Sequence, residues 1–291
     1  MLVELISIVA PIYCCALLGY LWTRMGRHYD SELIGDLTMT VGAPCLVFYS
    51  LVTIELEPSA LAEMAGATLL AIVVMGVVAT GVLLATRQPL HTYLAPMSLP
   101  NTGNMGLPVC LFAFGEEGLA LGVCVFAVTS ITQFTVGMWV WTGEVSWRQL
   151  LRTPVTIASL LAVAAIASDF DPPRFVLRTT QVLGGMTIPL MQFTLGVSIG
   201  RLQLGHIPRA LALSIFRIGL GITVGVLVAD WLGLEGVARG VLILDCAMPV
   251  AVVSYILAVR YRRSPTEVAG TVVISTLLSF GTLPVLLAWV L

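Results

Sequence analysis

The sequence predicts an all-α membrane protein with ten transmembrane helices arranged as two inverted five-helix repeats. Three observations support this prediction: an apolar composition, two motifs that recur at matched spacing, and two apolar segments that are interrupted near their centres. The 291 residues are 58% hydrophobic and 10% charged, with a mean hydropathy of +1.00. Soluble domains carry about 25% charged residues, so the chain is expected to lie almost wholly in a lipid bilayer.

Ten apolar runs account for nearly all of the chain, because a spanning helix needs about 20 apolar residues. The predicted spans cover residues 3–22, 31–52, 59–85, 91–115, 119–142, 154–170, 180–200, 208–232, 236–261 and 265–291. Residues 1–142 form the first predicted repeat, 143–153 a short cytoplasmic linker, and 154–291 the second, inverted repeat.

Arginine sets the predicted orientation, because the chain contains no lysine. One set of alternate connections holds ten arginines: Arg24, Arg27, Arg87, Arg148, Arg152, Arg201, Arg209, Arg260, Arg262 and Arg263. The opposite set holds three: Arg174, Arg178 and Arg239. Cytoplasmic connections of membrane proteins carry the excess of basic residues. We therefore expect a multi-pass protein of the cell membrane with both termini outside.

Two proline motifs of the first half recur in the second half. The apolar run that begins at Pro44 resembles the run from Pro189, and the tetrad around Pro108 resembles the tetrad around Pro249. Pro44 and Pro108 are 64 residues apart, and Pro189 and Pro249 are 60 apart. A repeat of five spans is odd in number, so its second copy must enter from the opposite side. Inverted repeats of this kind are typical of secondary transporters.

The fourth and ninth predicted spans are both interrupted near mid-membrane. Residues 99–108 read Leu-Pro-Asn-Thr-Gly-Asn-Met-Gly-Leu-Pro, and the prolines and glycines prevent a continuous helix. Met248-Pro249 interrupts the ninth span in the same way. We expect the two breaks to cross, with Pro108 and Pro249 in the first turns of the second half-helices, where proline is favoured.

A site between two helix N-termini favours an anion, so the crossing predicts a binding site for a small organic anion. The candidate substrate-binding residues are Asn101, Thr102, Gly103, Asn104, Gly106, Pro108, Met248 and Pro249. Asp245 is a candidate to carry a coupling proton or to hold a sodium ion, because a carboxyl within a span is functional by default.

Two further polar residues are candidates to support this site. Arg217 lies deep in the eighth predicted span, where it can pair with an acid such as Asp245 or raise the positive potential of the cavity. Gln192 lies in the seventh span, where an inter-helix hydrogen bond and a ligand contact both remain open.

Enzymatic chemistry has no support in the sequence. The six cysteines and three histidines show no metal-ligand spacing, and neither a phosphate loop nor a nucleophile–base pair is present. We therefore expect no enzymatic activity, no metal, no cofactor and no nucleic-acid partner.

Four stretches resemble signatures of the auxin efflux carrier (AEC) family. The fourth-helix signature is similar to LPNTGNMGLP at 99–108, and the ninth-helix signature to AMPVAVVSYILAVRY at 247–261. The opening helix resembles PIY at 11–13, GY at 19–20 and RMG at 24–26, and the last helix resembles TVVISTLLS at 271–279. The resemblance covers essentially the whole chain.

This resemblance implies a carrier with a scaffold domain and a crossover domain, similar in fold to bile-acid/sodium symporters and sodium/proton antiporters. Members of the family are often dimeric and move organic anions: auxin in plants, and malate, malonate or related carboxylates in bacteria. By resemblance, Asn101, Thr102, Asn104 and Pro108 correspond to the fourth-helix site and Pro249 to the second crossover. The short 143–153 connection makes this a compact, prokaryote-type relative of the PIN-type auxin carriers.

The sequence therefore predicts a secondary transporter of a small organic anion, either a mono- or a dicarboxylate, that works by alternating access. Its expected partners are that anion, the lipid bilayer and a second copy of the chain. Two alternatives remain open. One is a sodium/proton antiporter that uses Asp245, and the other is a membrane sensor that binds a ligand without moving it.

Overall fold

The computed structural model describes residues 2–53, 57–143, 153–168, 170–202 and 205–291. Within these ranges the regular structure is helical, and strand-like pairing is confined to one isolated bridge. The predicted linker, with Arg148 and Arg152, lies outside the described residues except for its first and last positions.

Fourteen α-helices are present in the described ranges. They are α1 (Leu2–Arg24), α2 (Ser31–Leu37), α3 (Ala43–Thr53), α4 (Pro58–Ala85), α5 (Leu90–Ser98), α6 (Leu107–Thr132), α7 (Met138–Thr142), α8 (Pro154–Ala167), α9 (Arg174–Gly185), α10 (Thr187–Arg201), α11 (Ile207–Leu232), α12 (Gly236–Ala247), α13 (Val252–Arg260) and α14 (Pro265–Val290). Three π-helical turns join or precede them: Thr38–Gly42, Thr102–Gly106 and Gln133–Gly137.

Seven helical stretches of the described chain are long and apolar enough to cross a membrane. They are Ile6–Arg24, Ser31–Thr53, Pro58–Ala85, Thr102–Thr142, Arg174–Arg201, Ile207–Leu232 and Pro265–Val290. The difference from the ten predicted spans has a geometric origin. Helix α8 is only 14 residues long, and α5, α12 and α13 are each too short to cross alone.

The longest stretch, Thr102–Thr142, is folded back on itself at Gly115. The backbone there is left-handed and non-helical, with φ 67° and ψ −151°. A Cβ on Gly122 would lie 3.1 Å from the Cβ of Cys110. In a straight helix these two residues would be about 18 Å apart along the axis. The segments before and after Gly115 therefore run side by side.

Helix packing joins the two halves of the chain throughout. Helix α1 packs on α10, and α3 packs on α8 and α9. Helix α4 lies beside both α5 and α11, while α6 contacts α12. The core is therefore built both between the halves and within each one.

Small residues set the approach of α1 to α10. A Cβ on Gly19 would overlap the backbone carbonyl of Phe193, and a Cβ on Gly196 would overlap that of Ala16. Each helix thus presents a bare glycine to the other helix's backbone. Close backbone approach at glycines is a main source of helix association in lipid, where the hydrophobic effect between helices is absent.

We predict that Gly196→Ala forces α1 and α10 apart. The expected loss is about 1–3 kcal/mol of unfolding free energy, typical of overpacking, measured as a lower thermal midpoint of the purified protein in detergent. Gly81→Ala is the matched control, because Gly81 in α4 has no neighbouring atom within 4 Å of the added methyl group. Equal midpoints for the two variants would contradict the prediction.

Candidate substrate site at the helix crossing

The first break separates α5 from the π-turn Thr102–Gly106. Helix α5 ends at Ser98, and Leu99 is extended, with φ −111° and ψ 110°. Proline at 100 accounts for this end, because its ring disfavours helical geometry in the preceding residue and it has no N–H to donate. Asn101 then takes a capping conformation, with φ −80° and ψ 61°.

The second break separates α12 from α13 and is fully extended. Met248 has φ −58° and ψ 148°, and Ala251 has φ −67° and ψ 137°. The expectation that Pro249 lies in the first turn of a half-helix is wrong, because α13 begins only at Val252. Met248 before the proline and Ala251 two residues after it are both extended, so Pro249 lies in the connector, as Pro100 does in the first break.

The two extended connectors meet and pair with each other. Pro100 and Val250 form an isolated antiparallel bridge, and the Asn101 N–H donates to the Pro249 carbonyl at 2.9 Å. The Val250 N–H donates to Ser275 Oγ of α14 at 3.1 Å. Non-helical backbone is tolerated at membrane depth only where protein or water satisfies it. Here the Pro249 carbonyl of the second break accepts the Asn101 N–H of the first, so each break satisfies a backbone group of the other.

Asn101 caps the helix that follows the first break. Its Oδ1 accepts the Asn104 N–H at 3.4 Å, and its backbone carbonyl accepts from Met105 and Gly106. Because Oδ1 accepts this hydrogen bond, the side-chain amide nitrogen Nδ2 is the atom that remains to donate. Nδ2 is buried without a partner among the described residues, and the whole residue is only 4% exposed. A free donor therefore lies at the N-terminus of this helix.

Pro108 lies in the first turn of α6, as the sequence predicts, and a π-turn extends the helical segment ahead of it. It is the second residue of α6, but the π-turn precedes it, so the helix N-terminus lies at Thr102 rather than at Pro108. Proline at this position cannot donate to the carbonyl of Asn104, four residues earlier. Gln192 Nε2 donates to that carbonyl instead, at 2.6 Å. The proline thus leaves the Asn104 carbonyl without a helical N–H donor, and Gln192 of α10 donates to it instead.

Gly103 allows other elements to approach the π-turn closely. A Cβ there would lie 2.9 Å from the ring of Phe126 and 3.6 Å from Cε of Met191. Thr102 and Met248 are both buried beside the breaks. The contacts of Gly103 bring α6 and α10 against the π-turn.

Asp245 is fully buried against the other broken helix. Its Oδ2 accepts from Cys110 Sγ at 3.6 Å, and Oδ1 has no partner among the described residues. A Cβ on Gly106 would overlap Oδ1. The carboxyl therefore occupies the space that glycine leaves at the end of the π-turn, within the crossing.

Arg217 does not pair with Asp245. It is fully buried, donates through Nη2 to the Cys246 carbonyl at 3.1 Å, and approaches Met75 Sδ at 3.8 Å. Val250, which would bond to that carbonyl in a continuous helix, bonds to Ser275 instead. The guanidinium therefore caps the C-terminal end of α12, where a positive charge is favourable.

The structure thus gathers the predicted residues of both breaks, together with Asp245, Gln192 and Arg217, around one crossing. Sequence reasoning missed Ser275, which satisfies Val250, and Cys110, which donates to Asp245. Ser275 belongs to the 271–279 stretch that resembles the last-helix signature of the family, so the sequence does carry a signal for it. Cys110 carries no such signal, since a buried cysteine is ordinarily a small apolar residue.

A bundle of apolar helices with two broken helices paired at their breaks defines a membrane transport class of protein. The profile of the membrane transport protein family (Mem_trans) matches residues 5–143 and 138–287. The chain therefore belongs to this family, the auxin efflux carrier family.

Relatives in archaea and plants agree with this assignment. An uncharacterised transporter of Methanocaldococcus jannaschii is 28% identical over 62% of each chain. An uncharacterised transporter of Methanothermobacter thermautotrophicus is 24% identical over 95% of each chain. Auxin efflux carrier component 7 of Arabidopsis thaliana is 25% identical over 49% of this chain, and the match spans only 24% of the plant protein.

We predict that Gly106→Ala and Asp245→Ala compensate each other. The added methyl group collides with the carboxyl, at an expected overpacking cost of about 1–3 kcal/mol, and removing the carboxyl makes room for it. Residues in contact couple in this way. Thermal midpoints of the two single variants and the double variant measure the effect. Additive losses would show that the two groups are not in contact.

Proposed function

We propose that this protein is a secondary transporter that moves a small organic anion, a mono- or dicarboxylate, through the crossing by alternating access. The observation that carries the proposal is the buried, unpartnered Nδ2 of Asn101 at the N-terminus of a mid-chain helix. A free donor beside a helix N-terminus is a site for negative charge.

With Asp245 protonated, the electrostatics around the crossing favour an anion. The first amides of a helix have no acceptor within it, which leaves those of Thr102 and Gly103 available beside Asn101. Arg217 adds a buried positive charge, and no described carboxylate forms an ion pair with it. The Arabidopsis relative is named an auxin carrier, and auxin is itself a carboxylate. The substrate proposed here has the same anionic group.

The proposal includes ten spans in two inverted repeats of five, and two features of the packing support it. If the two halves are equivalent, α1 corresponds to α8 and α10 corresponds to α3. The pair α1–α10 then corresponds to the pair α8–α3, and the two helices of each pair pack against each other. Gly42 and Thr187 each precede a repeated proline by two residues, and a Cβ on Gly42 would lie 2.6 Å from Thr187 Oγ1. Contact between equivalent positions is expected at a pseudo-two-fold axis.

The remaining parts of the proposal concern the cellular setting. The arginine distribution favours both termini outside the cell membrane, and the family resemblance favours a homodimer. In the proposed cycle, the crossing and the helices around it rock against α1, α3, α8 and α10. Each position would open the crossing to one side of the membrane. Coupling to a proton or to sodium is proposed through Asp245.

We predict that Asn101→Asp abolishes anion uptake while the protein still folds. Aspartate retains the oxygen that caps Asn104, but it replaces the free donor by a negative acceptor that repels a carboxylate. Uptake of radiolabelled carboxylates into proteoliposomes is expected to fall at least about tenfold, the effect of losing one charge-assisted hydrogen bond.

Asn101→Ala separates the two roles of this residue, because it loses the cap as well as the donor. A missing cap costs about 1 kcal/mol, so its thermal midpoint is expected to be lower than that of Asn101→Asp. Wild-type uptake by both variants would refute the site. Binding of carboxylates by the wild type without any counterflow would identify a sensor instead.

Asp245 gives specific support to a second candidate function, the exchange of sodium for protons. An unpartnered carboxyl oxygen in a fully buried position is a group that can bind and release a cation. We predict that Asp245→Asn abolishes uptake driven by a pH or sodium gradient but preserves exchange of internal for external anion. Sodium-dependent proton flux by the wild type with no organic anion present would favour the antiporter.

A further inference from the structure

Gln192 lies beside the first break with its side chain held in one orientation. Its amide contacts the Asn104 carbonyl at 2.6 Å, and a carbonyl oxygen can only accept a hydrogen bond. The nitrogen of the amide must therefore face Asn104, and the oxygen must face away. The residue is 2% exposed, so its orientation is protected from water.

The oxygen of this amide has no partner. Gln192 Oε1 is buried and accepts no hydrogen bond from any described residue. A buried acceptor without a donor is costly, and such atoms in folded proteins call for a specific explanation. An amide oxygen is completed only by a donor, such as a hydroxyl or an N–H group. A bare carboxylate offers none.

Besides Asp245 Oδ1, two unpaired side-chain atoms lie at the crossing, and the backbone of Asn104 orients both of them. Its N–H fixes Asn101 through Oδ1, which leaves Nδ2 as a free donor. Its carbonyl fixes Gln192 through Nε2, which leaves Oε1 as a free acceptor. The site thus offers a ligand one donor and one acceptor, anchored to the same residue.

We infer that Gln192 selects anions that carry a hydrogen-bond donor near the carboxylate, and that hydroxy acids are therefore preferred over their deoxy counterparts. This inference rests on the proposed function, and it names the substrate class for the same site. Asn101 receives the carboxylate, and Gln192 Oε1 accepts the hydroxyl proton. Sites that pair with a substrate hydroxyl discriminate strongly against analogues that lack it, because their polar groups remain unpaired.

Two pairs of acids that differ by a single hydroxyl group provide the test: lactate with propionate, and malate with succinate. Apparent affinities come from competition in proteoliposome exchange and from thermal shifts of the purified protein. The wild type is expected to prefer each hydroxy acid by about tenfold, the value of one neutral hydrogen bond.

Gln192→Met keeps the length of the side chain but removes the acceptor, and the ratio within each pair is expected to fall to about one. Gln133→Met is the matched control, since Gln133 is also a buried glutamine with an unpartnered atom, and its amide nitrogen donates to no described residue, Asn104 included. It is expected to keep the wild-type ratio. Gln192→Glu, when protonated, retains one donor and one acceptor, so at low pH it is expected to restore the preference.

The possible outcomes separate this inference from the proposed function. If the wild type carries the acids with a ratio near one, Gln192 is not a selector, although anion transport stands. A wild-type ratio retained in Gln192→Met also overturns the inference. If none of the four acids binds or exchanges, the proposed function fails, and the inference fails with it. The wild-type ratio remains decisive even where Gln192→Met does not fold.

Discussion

Backbone hydrogen bonding at the two helix breaks is the constraint on which this structure depends. A helix broken inside a membrane exposes N–H and C=O groups that lipid cannot satisfy. Here the Asn101 N–H bonds to the Pro249 carbonyl, Ser275 takes the Val250 N–H, and Arg217 takes the Cys246 carbonyl. The two breaks are therefore stable only as a crossed pair. The polar groups that remain unpaired after this pairing define the candidate site.

Proline has two different effects at the crossing, and the chain uses both. Pro100 and Pro249 end helices and lie in extended connectors, whereas Pro108 lies inside a helical segment and leaves the Asn104 carbonyl open for Gln192. The sequence similarity between the tetrads at Pro108 and Pro249 thus joins positions with different backbone conformations. The structural counterpart of Pro249 is Pro100, since both precede the residues that begin the next helical segment.

The apolar composition predicts the helical membrane protein that the structure shows, and the two interrupted segments predict the helix breaks after Ser98 and Ala247. Local sequence could not predict which residue would satisfy each freed backbone group, because those partners are distant in the chain. Arg217 illustrates this: a buried arginine and a buried acid suggest an ion pair, but Arg217 donates instead to the Cys246 carbonyl, which the helix break leaves free. The sequence also does not predict the π-turn Thr102–Gly106 ahead of Pro108. A proline shows that its own N–H is missing, but it does not show whether the residues before it are helical.

The lone charge of Arg217 has a consequence for how membrane voltage would act on the protein. Since the guanidinium is bonded to α12, it would travel with the crossing in the proposed cycle. An empty carrier with Asp245 protonated would then move one positive charge through the membrane field, worth about 2.3 kcal/mol per 100 mV for full passage. A bound monoanion would cancel that charge. The electrical potential would therefore act chiefly on the return of the empty carrier.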